Sequence, residues 1–65
     1  MAIFIKLTDF RGEPTFVNFE LVSNFYYSNK ESMTIIVFDE QHIESVKESL
    51  EDIKRKLGTL GVMFN

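Results

Sequence analysis

His42 is the single histidine in a chain of 65 residues, and Asp39, Glu40 and Glu44 stand within three positions of it. A histidine among carboxylates is a candidate general base or metal ligand. A metal site, however, needs three or four converging ligands, and the chain offers no second imidazole and no cysteine. The carboxylates also flank a turn, so the reading favours a half-exposed strand residue. Glu48, Glu51 and Asp52 share one helical turn, yet acid–base pairs require an enclosed site that pushes their pKa values apart. They read as a solvated helix N-terminus. Ser23, Ser28, Ser32, Ser45 and Ser49 have no base to activate them unless His42 is close. Gly12 stands alone before Glu13 and Pro14, too sparse for a phosphate loop. No catalytic, cofactor-binding or metal-ligating set emerges, and the expectation is a protein that is not an enzyme and takes no cofactor.

Binding remains. Lys54, Arg55 and Lys56 sit together, but three basic residues at a helix end ordinarily complement the helix dipole. Phe25, Tyr26 and Tyr27 are more informative, because adjacent strand residues point to opposite faces. At least one ring is expected outside the core. With Val62, Met63 and Phe64 of the apolar tail they form the candidate interface. The net charge of −3 and pI of about 4.9 oppose nucleic-acid binding, which calls for a basic face. The expected partners are a second copy of the chain, in a homo-oligomer, and possibly another protein.

These residues must be carried by a single small domain, 1–65, since a chain this short has room for one core and buries only about 60% of its unfolded surface. Self-association would add burial. Without cysteines there are no disulfide staples, and a reducing cytoplasm fits. "MAIFIKL" lacks the basic start and cleavage site of a signal peptide, and no apolar run reaches the roughly 20 residues of a membrane span. A soluble, cytoplasmic protein without membrane insertion is expected.

"AIFIKL" alternates Ile3, Ile5 and Leu7 against Phe4 and Lys6, a half-buried strand. "TDFRGEP" is a turn, and "TFVNF" a second strand whose inward face is open. "NFELV" predicts a short turn or single helical turn, and "VSNFYY" a third strand with Phe25 and Tyr27 on one face. "MTIIVF" is the strongest β signal in the chain and predicts a central strand. His42–Val46 predicts a short fifth strand beside it, and the period then changes: Val46, Leu50, Ile53 and Leu57 mark a helix over about 48–57. Ser49 is the favoured N-cap, acids precede bases along the dipole, and Gly58 ends the helix. The tail, 58–65, packs back, frays or docks on a neighbour.

The fold expected is α+β: four to five antiparallel strands in a bent sheet or partial barrel with one C-terminal helix. Its core is expected from Ile3, Ile5, Leu7, Val17, Leu21, Ile36, Phe38, Val46, Leu50 and Ile53.

The succession "LTDFRGEPTFVNFELV", "TIIVF" and "VKESLEDI" resembles the small FlbD-type flagellar and swarming-motility family. Its pattern is matched at Leu7, Thr8, Gly12, Pro14, Asn18, Leu21, Thr34, Ile36, Val46, Lys47, Glu48, Ser49, Glu51 and Ile53. The sequence departs from it at Asp39–Gln41, where family members carry an Asn-Gly type hairpin, and in the "YYSNKES" loop. The resemblance implies a cytoplasmic, non-enzymatic accessory of flagellar motility, with no catalytic residues to transfer. A self-assembling small β-rich protein of unknown or phage origin, acting as a structural or adaptor module, is the alternative.

Overall fold

A computed structural model describes residues 2–59 of the chain. Two strands, β1 (Phe4–Thr8) and β2 (Pro14–Asn18), form one antiparallel hairpin. A 3-10 turn (Phe19–Leu21) leads into a three-stranded antiparallel sheet of β3 (Asn24–Ser28), β4 (Met33–Val37) and β5 (Ile43–Val46), with β4 in the middle. The helix α1 (Leu50–Thr59) follows.

The first hairpin turns on Asp9. Its Oδ1 accepts the backbone N–H groups of Arg11 and Glu13, both at 2.9 Å, and Gly12 takes φ +85°, a left-handed conformation that costs a side-chain-bearing residue about 1–2 kcal/mol. At the other end Asn18 uses one side-chain oxygen twice: it accepts the Ile3 N–H and the Glu20 N–H, each at 3.1 Å. The strand is thereby closed and the 3-10 turn started.

Helix α1 is capped by Ser49, whose Oγ accepts the Asp52 N–H at 3.1 Å while its carbonyl accepts the Ile53 N–H at 3.1 Å. Glu51 and Asp52 occupy the first turn and Lys56 the last, the order that complements the dipole. The helix lies two residues later at each end than the spacing predicts, so Glu48 precedes it. Ile53 and Leu57 face inward and are fully buried.

Ile5, Leu7 and Val17 of the hairpin, Ile36 and Val46 of the second sheet, and Ile53 and Leu57 of the helix make one core, with Ile3, Phe19, Val22, Phe25 and Phe38 packed against it. Each fully buried Leu, Ile or Val contributes roughly 1.5–3 kcal/mol of transfer free energy. Two core expectations need correcting. Leu21 is 65% exposed, because the 3-10 turn carries it outward. Leu50 opens the helix and is only half-buried, whereas Ile3 and Phe38, also half-buried, pack against the core as expected. Ile35 and Thr34 are buried though the sequence did not mark them as core.

The five strands do not pair continuously. Asp9 and Val46 form an isolated bridge, with the Lys47 N–H donating to the Thr8 carbonyl at 2.8 Å, and there the backbone pairing between the sheets stops. Side chains then take up the open edge of β1. Glu48 Oε1 accepts the Thr8 N–H at 2.8 Å and Lys56 Nζ donates to the Lys6 carbonyl at 2.9 Å. These contacts cover the Lys6–Thr8 end of that edge.

Candidate interaction surface

The residues that suggested chemistry are employed in building the fold. Asp39 Oδ1 accepts the N–H groups of Gln41 at 2.8 Å and His42 at 2.9 Å, and the His42 ring nitrogen Nδ1 lies 3.2 Å from Asp39 Oδ2. This is an exposed turn between β4 and β5, in which the Gln41 N–H first, and His42 second, lowers the Asp39 pKa. Among the described residues no three His, Cys, Asp or Glu side chains converge as metal ligands would.

Glu48, read from the sequence as part of a solvated helix end, is instead a clasp. Besides the Thr8 N–H it accepts the Thr8 hydroxyl through Oε2 at 2.9 Å, and its own carbonyl accepts the Thr34 hydroxyl at 2.7 Å. One residue thus joins β1, β4 and the entry to α1. Asp52 pairs with Arg55 at 2.7 Å, and this contact is the main cause of its lowered pKa. Asp9, also lowered, owes its shift first to the Glu13 N–H and further to Arg11, whose guanidinium lies 3.1 Å away. Arg55 and Lys56 are therefore both engaged within the chain, on Asp52 and on the Lys6 carbonyl.

The proposed aromatic interface divides. Phe25 turns inward, half-buried, and its ring meets that of Phe19 edge-on at 5.8 Å and 86°. Tyr26 projects from the opposite face beside Ile35, 51% exposed, while Tyr27, paired with Thr34, is 46% exposed on the Phe25 side. The three rings do not make one patch. Val62, Met63 and Phe64 lie outside the described residues.

A different aromatic surface is present on the first hairpin. Phe4, Lys6 and Phe16 point away from the core, Phe16 opposite Lys6 and diagonal to Phe4. Phe16 is 67% exposed and Phe4 58%. Period-2 reading of "AIFIKL" already put Phe4 opposite Ile5. For "TFVNF" the two faces are equally aromatic in sequence, and only the register, which sets Val17 against Ile5, decides that Phe16 faces out.

The same hairpin has a free edge. The Phe19 N–H donates to the Ile3 carbonyl and the Asp9 N–H to the Glu13 carbonyl, both at 2.8 Å. Odd-numbered residues therefore exchange bonds between the strands, and even-numbered ones point their peptide groups outward. On β1 the outward groups of Thr8 and the Lys6 carbonyl meet Glu48, Lys47 and Lys56. On β2 they belong to Pro14, Phe16 and Asn18, and no described residue hydrogen-bonds the Phe16 N–H or carbonyl.

No helix among the described residues is long and apolar enough to cross a membrane. Comparison with protein-family models, curated proteins and solved structures finds no match to this chain, so the functional argument rests on its own residues.

Proposed function

We propose that this chain is a non-enzymatic interaction protein of the cytoplasm, of the accessory kind that its resemblance to the FlbD-type motility family implies, its two sheets serving as one bent scaffold. The observation that carries the reading is the outward pair Phe4 and Phe16, large rings left in water on a domain too small to waste apolar area. The polar clusters support it from the other side: Asp9, Asp39, Glu48 and Asp52 each hold backbone or a neighbouring side chain, and none is set against a second acid in an enclosed site. The second reading, a self-assembling β-rich module, is favoured by the uncovered edge of β2.

Quantitative co-purification from the native host, with the wild-type chain and with Phe16→Ser, tests the proposal. The expected result is a set of proteins enriched with the wild type and lost with the variant. Flagellar components in that set would single out the motility reading, and an untagged copy of the chain alone would single out self-assembly. Equal recovery with both forms would overturn the interaction reading.

A further inference from the structure

We propose that the free edge of β2 is where a second copy of this chain docks, strand to strand about a twofold axis, making one four-stranded sheet from two hairpins. The proposal rests on the interaction reading above and names the partner and the surface.

Three features of β2 fit a second copy. First, the outward groups are self-complementary. With Phe16 opposite Phe16 of the other copy, the two Phe16 residues exchange both N–H···O=C bonds, and the Asn18 N–H of each donates to the Pro14 carbonyl of the other. The only bonds that register lacks are the two that the Asn18 carbonyls would accept, because Pro14 has no N–H to donate. Second, β2 reads Pro-Thr-Phe-Val-Asn, without a charge. Edge strands of monomers are normally guarded by charged side chains or proline; β2 has only Pro14, at its first residue, whereas part of the β1 edge is guarded by Glu48 and Lys56. On a chain of net charge −3, an uncharged edge strand lets two like copies approach without repulsion. This property β2 shares with β3, and of the two it is β2 that carries the self-complementary outward groups and the outward Phe16. Third, the twofold pairing brings Phe16 against its counterpart, each flanked diagonally by Phe4, so four rings exposed in the single chain are gathered on one face. A five-residue edge and two rings from each copy make a modest interface, and micromolar association is expected.

Sedimentation equilibrium of the full chain between about 1 and 500 µM should show conversion from 7.6 kDa to twice that mass. Phe16→Pro removes the outward N–H together with the ring and touches none of the hairpin's own bonds, so the dimer loses two hydrogen bonds and two rings. It should weaken association by about tenfold or more with circular dichroism unchanged. Phe16→Glu, opposite Lys6, should also stay folded and become monomeric, whereas Tyr26→Glu on the other sheet should dimerise as the wild type does. Register is checked by oxidation: the chain has no cysteine, and Phe16→Cys should crosslink to itself far faster than Thr15→Cys, which would face Val17 of the other copy. A wild-type monomer throughout the range overturns the proposal, as does a dimer indifferent to Phe16→Pro. Either result leaves the broader interaction reading to the co-purification experiment, where a different protein would still be recovered.

Discussion

Replacing Glu48 with Ala removes the acceptor for two groups of Thr8, the N–H at 2.8 Å and the hydroxyl at 2.9 Å. Hydrogen bonds to a charged group contribute about 1.5–3 kcal/mol each in favourable cases. Glu48 is half-buried, which places each at the low end, so Glu48→Ala should cost about 2–3 kcal/mol in all. A chain of this length has about 3–10 kcal/mol of total stability, and such a loss is a large part of it. Glu48→Gln is the informative companion. Its Oε1 still accepts the Thr8 N–H and its Nε2 donates to the hydroxyl, so a loss of only about 0.5–1 kcal/mol is expected. Thr8→Val keeps the branched shape but deletes the hydroxyl. In a double-mutant cycle with Glu48→Ala it should reveal a coupling of about 1 kcal/mol. Urea unfolding followed by circular dichroism, at one fixed protein concentration, measures all four stabilities. A coupling below about 0.3 kcal/mol would refute the clasp, because residues that do not interact add to within that margin.

Leu57→Ala and Ile53→Ala, at fully buried positions, should each cost about 2–5 kcal/mol. Half-buried Leu50→Ala should cost clearly less, and equal losses in thermal or urea unfolding would contradict the helix placement. Gly12→Ala should lower stability by about 1 kcal/mol, although the added methyl would meet nothing within 4 Å, because the cost lies in the backbone. Ser32, at φ 55°, is the converse, and Ser32→Gly should be neutral or stabilising by up to about 1 kcal/mol. Asp9, Asp39 and Asp52 all have pKa values below the ordinary 3.8. A depressed folded-state pKa adds stability that is present above the unfolded value and lost as pH falls through the folded one. Stability should therefore hold at mildly acidic pH and fall below about pH 4, less steeply in Asp9→Asn. A decline centred near pH 6 would count against these three groups.

What the sequence made legible was local. "MTIIVF" is the central strand because β-branched residues fit a pleated, buried surface, and Ser49 caps the helix because its hydroxyl competes for the first free N–H groups. The inward faces of β1 and α1 follow from their periods. The face of β2 and the exposure of Leu21 do not, since both depend on register and on where the 3-10 turn points. Ile35 escaped notice for a related reason: it lies on the opposite face of β4 from Ile36 and is buried there as well. Three rings standing together in sequence make Phe25–Tyr27 the expected interaction surface. Strand alternation separates them, while Phe4 and Phe16, twelve positions apart, become neighbours through the hairpin.

The positions on which the resemblance to the motility family rests have identifiable structural tasks. Gly12 turns the first hairpin, Asn18 closes it, Val46 fills the core, Ser49 caps the helix, and Thr8, Thr34 and Glu48 meet in one cluster. A pattern made of such positions describes how the chain closes on itself, independently of what it then holds.

The Thr8–Glu48 contact spans forty positions of sequence, and this ties the history of one end of the chain to the other. Loss of the acid at 48 leaves the Thr8 N–H without its acceptor, and loss of the hydroxyl at 8 leaves the acid half paired. Position 8 keeps its N–H whatever its side chain, so descendants of this chain are expected to retain the acid even where the hydroxyl is lost, and loss of the acid is the change that needs an answer elsewhere.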